Sequence, residues 1–272
     1  MASQQKICVH IASYWKNKES YASRQPILVS VVNDYLALWD VKSMDIFIHT
    51  NSTEVIKTQF NVSDRLRVHY IVHDLSRENP KYLVWRPREL MIKQKDMFDV
   101  FVYLEDDIGI PFKALKYWLH YKDTLHVNNL DVGFVRVETQ NKTDYFCSDV
   151  LLPSSHPMRI DDRIFVWNHQ NYCAFWICDR YELERFIASP YWSPHLYFPN
   201  GINKPPSIFI LESSAIGFKM SYLGSFYPLD DTNTLVSDMC FVHHLANNYI
   251  HAHDTPLGKF AVERMTEGLT LA

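Results

Sequence analysis

The stretch FDVFVYLEDDI, residues 98–108, decides how this chain is expected to fold. Its residues 99–104 form an almost uniformly apolar run, which is typical of a central strand covered on both faces. Three carboxylates, Glu105, Asp106 and Asp107, follow this run at once. Ligands of open α/β sheets bind beyond the carboxyl ends of the strands, so the sequence predicts a binding site at these acidic residues.

The sequence around this stretch alternates strand patterns with helix patterns. Apolar runs predict further strands at 7–11, 45–50 and 67–72. Helical patterns are predicted from Pro26, after Trp85, after Pro111 and from a capping box at Asp179 and Glu182. This alternation indicates βαβ units and therefore an α/β fold with a central, mostly parallel sheet flanked by helices.

The second half of the sequence is less regular than the first. Segments 153–162 and 189–206 are rich in Pro, Asn, His and aromatic residues, and they are interpreted as long surface loops. The run SIFIL at 207–211 predicts a late strand. We expect one domain, residues 1–272, with a soft subdivision into halves 1–130 and 131–272.

Composition narrows the possible classes of protein. Of 272 residues, 47% are hydrophobic and 21% charged, a globular profile that excludes a disordered protein. The formal net charge of -4 argues against a nucleic-acid partner. No stretch approaches the roughly 20 apolar residues that span a bilayer, and the start of the chain has no signal-peptide pattern. We therefore expect a cytoplasmic protein without a membrane span.

The three carboxylates predict a site for a divalent cation. In an extended chain Glu105 and Asp107 point to one side and Asp106 to the other, so Glu105 and Asp107 form the natural pair of metal ligands. Oxygen ligands favour Mg2+ or Mn2+, which also neutralise a diphosphate. Alternatively, the cluster is a solvated acidic turn.

The same stretch resembles the hydrophobic strand and acidic DxD-type motif of the GT-A glycosyltransferases, here in the form Glu-x-Asp. Further segments look like the exostosin-like branch of that fold: LVWRPREL (83–90), VGFVRVE (132–138), NYCAFWICDRYELERFIASPYW (171–192), ILESSAIGF (210–218) and VHHLANNYI (242–250). The resemblance covers roughly residues 6–255 in order. The size of the chain also resembles that of soluble glycosyltransferases of large DNA viruses.

The resemblance implies a GT-A-like fold with a nucleotide-sugar-binding first half and an irregular, acceptor-binding second half. It implies a hexosyl- or pentosyltransferase that moves a sugar from a nucleotide-sugar donor, with a UDP-sugar as the expected donor, to a glycan acceptor. In such an enzyme Glu105 and Asp107 hold Mn2+ or Mg2+, and Asp106 faces ribose or sugar hydroxyls. A histidine near the C-terminus, His244 rather than His243, supplies another metal ligand or touches the diphosphate.

Inversion at the anomeric carbon requires a carboxylate that accepts the proton of the acceptor hydroxyl. Glu212 matches the late acidic position of the family and is the first candidate, and Asp162 is the second. Glu212 could instead stabilise a helix through its dipole. A retaining mechanism would need no such base, and the sequence leaves both mechanisms open.

Other candidate site residues are cationic or aromatic. Arg24, Arg86 and Arg88 are predicted to bind the pyrophosphate, because guanidinium groups make charge-assisted hydrogen bonds to phosphate. Tyr191 and Trp192, whose rings can stack on sugars, are predicted to bind the acceptor. Arg136, which alternates with Glu138 on one strand face, either lines the acceptor side or forms a buried structural ion pair.

Two other functions stay open at this point. A sugar nucleotidyltransferase has a similar fold, but it carries a glycine- and lysine-rich loop after the first strand, and ASYWKNKESYASRQ (12–25) has no glycine. A non-catalytic glycan-binding module with a structural Ca2+ would explain the aromatic loops. A long, mostly parallel sheet is, however, an unusual frame for a lectin.

Overall fold

The computed structural model describes residues 2–140, 144–147, 157–168, 172–194, 209–219, 222–249 and 260–261. The helices are α1 (Lys18–Ser30), α2 (Pro87–Gln94), α3 (Phe112–His126), α4 (Arg180–Ala188) and α5 (Phe209–Lys219). The strands are β1 (Lys6–Ser13), β2 (Ser43–Thr50), β3 (Leu66–Val72), β4 (Val100–Glu105), β5 (Ile108–Gly109), β6 (Asp131–Val132), β7 (Val135–Gln140), β8 (Asp144–Cys147), β9 (Pro157–Ile160), β10 (Arg163–Asn168), β11 (Phe175–Asp179), β12 (Ser225–Pro228), β13 (Phe241–His244) and β14 (Phe260–Ala261).

The chain divides into two compact units, and each unit is built from two separate segments. The first unit comprises Met1–Ile108 and Ala174–Ser221, and the second comprises Gly109–Cys173 and Tyr222–Ala272. Strand β11 and helices α4 and α5, which the sequence assigns to the second half, thus belong to the first unit.

The first unit is built on a five-stranded sheet in the order β11-β4-β1-β2-β3. Strands β4, β1, β2 and β3 are parallel, and β11 alone runs antiparallel to its neighbour β4. The predicted α/β fold with a mostly parallel central sheet flanked by helices is therefore confirmed. The chain adds β2 and β3 on one side of β1 and then returns to place β4 on the other, so the strand order reverses between β1 and β4.

Strands β1 and β4 form the buried centre of this sheet. All residues of β1 after Lys6 are buried, and so are the first five residues of β4. Continuous apolar runs of this kind fit strands covered on both faces, as the sequence predicted for 99–104. Glu105, the last residue of β4, is only half-buried, so the strand leaves the core where the carboxylates begin.

A row of three histidines crosses the β1–β2–β3 side of the same sheet. The Nδ1 atom of His10 lies 2.9 Å from Nε2 of His49, and Nδ1 of His49 lies 2.9 Å from Nε2 of His73. At the inner end, Nε2 of His10 lies 3.0 Å from the Oε1 atom of Gln94. His10 and His49 are fully buried, whereas His73 is half-buried.

Two helices of the first unit differ from the sequence prediction. Helix α1 begins at Lys18, not at Pro26, because Asn17 and Ser20 form a capping box, and Pro26 lies inside the helix. The strand predicted at 207–211 is wrong for residues 209–211, which form the first turn of α5. A short apolar run fits a buried helix as well as a strand, so periodicity alone could not separate them. Residues 207 and 208 lie outside the described part of the chain. The predicted capping box that opens α4 is confirmed.

The second unit contains two smaller sheets, with orders β6-β12-β10-β9 and β14-β8-β7-β13-β5. The predicted loop at 153–162 is wrong for residues 157–160, which form β9 and pair with β10 as an antiparallel hairpin. Asp161, with φ of 52°, and Asp162 form the tight turn of this hairpin. Aspartate tolerates this left-handed conformation better than most residues, which explains a turn at this point.

No helix within the described ranges is long and apolar enough to cross a membrane.

Candidate functional site

A cavity of about 400 Å³ lies in the first unit where the strand order reverses. It is lined by Ala12 near the end of β1 and Tyr14 just after it, by Arg24 of α1, by Glu105 and Asp106 at the end of β4, and by Asn79, Pro80, Lys81, Leu83, Val84 and Leu211. We call it the switch-point cavity. Its position follows from topology, because connections that leave in opposite directions from two adjacent parallel strands open a crevice beyond their carboxyl ends.

The register of β1 and β4 brings the first polar residues to this cavity. Ala12 of β1 is paired with Glu105 of β4, so both strands end at the same level. Tyr14 follows β1, and Asp106 follows β4. Once β1 and β4 are neighbours, the residues that directly follow each strand in the sequence are therefore the ones that line the cavity.

Arg24 joins the carboxylates into one network. Its Nη2 atom contacts Oδ1 of Asp106, and its Nε atom donates to Oδ2 of Asp106 at 3.2 Å. The same Nη2 atom lies 3.5 Å from Oδ2 of Asp107. Ser13 Oγ donates to Oδ2 of Asp106 at 2.6 Å, and Trp15 Nε1 donates to Ser13 Oγ. Asp106 is only 2% exposed, so its charge is held by hydrogen bonds and a guanidinium instead of by water.

Burial and the neighbouring opposite charge act in opposite directions on the pKa of Asp106 and on that of Arg24. Burial raises the pKa of Asp106, and Arg24 and Ser13 oppose this increase by interacting with the charged form. Burial also works to lower the pKa of Arg24, but the carboxylate of Asp106, followed by Asp107 and Glu105, raises that pKa above its usual value overall. Arg24 is therefore a permanent positive charge at the wall of the cavity.

The three carboxylates do not alternate as an extended chain would. Strand β4 ends at Glu105, and Asp106 and Asp107 form a turn. As a result Glu105 and Asp106 line the cavity, whereas Asp107 is placed beside Arg24. Asp106 and Asp107 are therefore not part of the extended chain from which the pairing of Glu105 with Asp107 was argued, and the role of this pair as metal ligands stays a prediction.

A second cavity of about 450 Å³ in the same unit holds the other predicted arginines. It is lined by Glu78, Tyr82, Trp85, Arg86, Arg88, Glu89, Ile92, Trp192, Ser193 and Pro194, and we call it the Trp192 cavity. Arg86 forms an ion pair with Glu78 and lies 3.8 Å from Glu89. Arg86 and Arg88 are thus neighbours of predicted acceptor residue Trp192, whereas Arg24 alone of the three arginines lines the switch-point cavity.

Arg88 holds the chain segment that carries Tyr191 and Trp192. Its Nη1 atom donates to the carbonyl oxygen of Tyr191 at 2.9 Å and to that of Trp192, and Nη2 donates to the carbonyl oxygen of Ser214 at 2.9 Å. Its guanidinium lies 4.0 Å from the ring centre of Trp85. Burial lowers the pKa of Arg88 to about 9. These contacts make Arg88 a positioning residue, which differs from the phosphate-binding role predicted for it.

Glu212 lies in the first turn of α5 and is half-buried. The preceding residue, Leu211, lines the switch-point cavity. A carboxylate in a first helical turn is stabilised by the helix dipole, so the alternative reading of Glu212 has a physical basis here. A role as the catalytic base stays a prediction.

The remaining predicted residues lie in the second unit. Nδ1 of His244 lies 2.6 Å from Oε1 of Glu138, and Glu138 also accepts a hydrogen bond of 3.0 Å from the backbone N–H of Tyr249. Arg136 is buried, and its guanidinium lies 5.0 Å from the ring centre of Tyr172. Glu138 therefore pairs with His244 and with the backbone of Tyr249. Asp162 is exposed in the β9–β10 turn.

Within the described part of the chain, no three or more His, Cys, Asp or Glu side chains are grouped so that they could hold a metal ion. Mg2+ commonly binds through one or two carboxylates, with substrate phosphates and water completing the shell. Glu105 and Asp107 at the end of β4 satisfy this smaller requirement in residue type and number.

Sequence reasoning missed several residues that line the switch-point cavity. Tyr14 could have been found, because it directly follows the carboxyl end of β1. Asn79 accepts a hydrogen bond from the backbone of Lys81 and caps the 3-10 helix Pro80–Trp85. Lys81 carries no sequence signal, because only the path of this short helix brings its side chain to the cavity.

Neither a scan against protein-family models nor a search of curated proteins finds a match for this chain.

Proposed function

We propose that the protein is a GT-A-like glycosyltransferase that moves a sugar from a nucleotide-sugar donor, with a UDP-sugar as the first candidate, to a glycan acceptor. The observation that carries the proposal is the switch-point cavity. It lies at the position where open α/β sheets bind nucleotides, and carboxylates, a guanidinium and an aromatic ring line it. The acidic stretch that resembles the DxD-type motif ends at this cavity.

The proposed donor site uses charges of both signs. Arg24 and Lys81 are the cationic residues of the cavity wall and would bind the diphosphate. The ring of Tyr14 would pack against the base or the ribose, since aromatic rings stack well on planar bases. Asp106 would keep Arg24 in position, and its burial and three hydrogen bonds support this positioning role.

Glu105 and Asp107 would hold the divalent cation, Mn2+ or Mg2+, together with oxygen atoms of the diphosphate. The bound cation would neutralise the charge that builds up on the departing nucleoside diphosphate. Arg24 and Lys81 would act on the same negative charge from the protein side.

The acceptor side of the proposal is supported by fewer contacts. Glu212 would accept the proton of the acceptor hydroxyl in an inverting reaction, and its place next to Leu211 is the observation in its favour. Tyr191 and Trp192 would bind the acceptor glycan. Three roles predicted for residues of the second unit also stay proposals. They are an alternative base for Asp162, an acceptor contact for Arg136 and a metal ligand for His244.

A donor screen tests this function. The protein is incubated with Mn2+ and each common UDP- and GDP-sugar, and release of nucleoside diphosphate is followed. We expect release from one donor, a loss of at least about 100-fold in Asp107→Asn because a cation ligand is removed, and an unchanged rate in Asp64→Asn, whose carboxylate is exposed on the same unit.

Nucleotide binding and nucleotide-sugar formation distinguish the proposed transferase from a glycan-binding module and from a nucleotidyltransferase. UDP with Mn2+ at about 100-fold over its dissociation constant should stabilise a transferase by roughly 3 kcal/mol in thermal unfolding. No release from any donor and no stabilisation by UDP or GDP would contradict the proposal and favour a glycan-binding module. Formation of a nucleotide sugar from a nucleoside triphosphate and a sugar phosphate would favour the nucleotidyltransferase.

A further inference from the structure

We propose that the Trp192 cavity binds a neutral sugar residue of the acceptor glycan, as a recognition site next to the one that reacts. This inference rests on the proposed function, because it specifies the class of acceptor. The cavity has a volume of about 450 Å³, which is large enough for one sugar ring and within the range of small-ligand sites.

One side of the cavity offers hydrogen bonds of the kind that sugar hydroxyls need. Arg86 presents a planar donor group, and the ion-paired carboxylate of Glu78 and the more exposed carboxylate of Glu89 present acceptors. A pair of adjacent hydroxyls can donate to a carboxylate and accept from a guanidinium at once, since each hydroxyl is both donor and acceptor.

Aromatic rings form another side of the cavity. Tyr82 and Trp192 are half-buried, so parts of their rings face the cavity. The C–H faces of a sugar ring pack on such rings, while its hydroxyls turn to the polar residues. A cavity with planar polar groups and aromatic rings is thus matched to a ring that has both kinds of surface.

The aromatic side is held rigidly before any ligand arrives. Arg88 fixes the carbonyl oxygens of Tyr191 and Trp192, as described above, and its guanidinium lies 5.1 Å from the ring centre of Trp192. Phe186 packs edge-on against Trp192 with ring centres 5.1 Å apart. A preformed site loses less conformational entropy on binding, which matters for a weak ligand such as a single sugar.

Charge selects a neutral sugar over an acidic one. Glu78 and Glu89 both line the cavity, and Arg86 is already paired with Glu78. Arg88 is buried and its donors are directed at backbone carbonyls. A uronate or sulfate group would therefore have to compete with the carboxylates of Glu78 and Glu89 for the guanidinium of Arg86, and we expect such sugars to bind more weakly.

One short helix separates this cavity from the donor site. The 3-10 helix Pro80–Trp85 supplies Tyr82 and Trp85 to the Trp192 cavity, and it supplies Lys81 to the switch-point cavity. A sugar in the Trp192 cavity therefore need not overlap with the nucleotide. The two sites can be tested separately in one protein.

The test is saturation-transfer NMR of the full chain with the methyl glycosides of glucose, galactose, mannose and N-acetylglucosamine, and with methyl glucuronide. We expect at least one neutral glycoside to bind, methyl glucuronide to bind at least tenfold more weakly, and excess UDP to leave the signal unchanged. Glu78→Gln, which keeps the size of the side chain and its ability to accept from Arg86 but removes the charge, should weaken binding at least fivefold, and Trp192→Ala should abolish it. Asp64→Asn should bind as the unchanged protein does.

The proposal is overturned if no neutral glycoside binds, if UDP displaces it, or if binding survives both Glu78→Gln and Trp192→Ala. The donor screen keeps the two proposals distinguishable. Glycoside binding without hydrolysis of any donor would contradict the proposed transfer reaction and would still support a sugar-binding cavity. Hydrolysis of a donor without glycoside binding would remove only this site.

Discussion

Two buried polar networks of the first unit both begin at strand β1, but they stabilise their buried polar groups in different ways. From Ser13, a charged network extends to Asp106 and Arg24 at the switch-point cavity. From His10, a neutral network extends through His49 to His73 on the other side of the sheet. Both bury groups that prefer water, and both satisfy them with hydrogen bonds.

The difference lies in which groups can take up a proton. Gln94 offers a carbonyl oxygen to Nε2 of His10, so that nitrogen carries the proton, and each following imidazole donates its Nε2–H to the Nδ1 atom before it. Every Nδ1 except that of His73 is then an acceptor within the row. The charged network instead persists across the neutral pH range, because Arg24 stays protonated. The charged network is suited to binding a charged ligand, whereas the histidine network depends on its imidazoles staying neutral.

The largest expected effect comes from acid, because acid acts on all three histidines of the neutral network together. Burial lowers the pKa of His10 to about 3, and burial also lowers the pKa values of His49 and His73. Below pH 6.5 the unfolded chain therefore binds more protons than the folded chain, and stability is lost as pH falls from 6.5 toward the folded values. His10 alone should cost roughly 2 kcal/mol at pH 5. Urea unfolding at pH 7, 6 and 5 measures the loss.

Histidine NMR assigns this loss to the row. The ring protons of His10 and His49, whose pKa values burial lowers, should not titrate between pH 7 and 5. His243 of the second unit, whose pKa burial lowers to about 4, adds a separate contribution that the same spectra resolve. Ordinary titration of His10 near pH 6.5 would remove the contrast between the two networks.

The next largest effect is expected from removal of Asp106. Asp106→Ala leaves Arg24 without its main partner and Ser13 Oγ without its acceptor, which should cost about 3 kcal/mol of unfolding free energy. The figure is at the low end for a broken buried pair, because the Arg24 side chain is 40% exposed and water can compensate in part. Urea unfolding at pH 7 checks it, with Asp64→Asn as the control. A loss below about 0.5 kcal/mol, the usual range of surface changes, would mean that the network contributes little.

Arg24→Lys should have an intermediate effect of about 1 to 2 kcal/mol, because lysine keeps the charge but not the planar fork. Arg24 reaches both oxygens of Asp106 and also Asp107, and one ammonium group cannot repeat all these contacts. A double-mutant cycle with Asp106→Asn measures the coupling between the two residues. Additive losses would show that the guanidinium geometry is unimportant.

The two networks also differ in how much of each can be predicted from the sequence. The acidic residues of the charged network follow an apolar run, so their location at a strand end was predictable from residues 98–108. Their pairing with Arg24 was not, because it depends on α1 beginning at Lys18 and on the turn at Asp106. The neutral network left no signal, since His10, His49 and His73 meet only through the register of β1, β2 and β3.

The same limit applies to the Trp192 cavity and to α5. Trp192 and the arginines after Trp85 were recognised as chemically suited to ligands, but their meeting in one cavity depends on contacts between distant segments such as those of Arg88. The run at 207–211 fits strand and helix equally well by pattern, and packing of α5 decides between them. Local patterns therefore predicted most elements of the sheet and the place of the site, whereas long-range contacts determined the composition of the site.

The smallest expected effect compares two helix caps. Asn17 opens α1 and Asp179 opens α4, each with a capping box, so Asn17→Ala and Asp179→Ala should each cost about 1 kcal/mol of stability. Only α1 carries Arg24 into the charged network, so only Asn17→Ala should also weaken UDP binding, by a few-fold in titration calorimetry with Mn2+. Equal UDP affinity in the two variants would show that α1 holds Arg24 in place without its cap. Weaker UDP binding in both variants would mean that general destabilisation, and not the position of Arg24, controls the donor site.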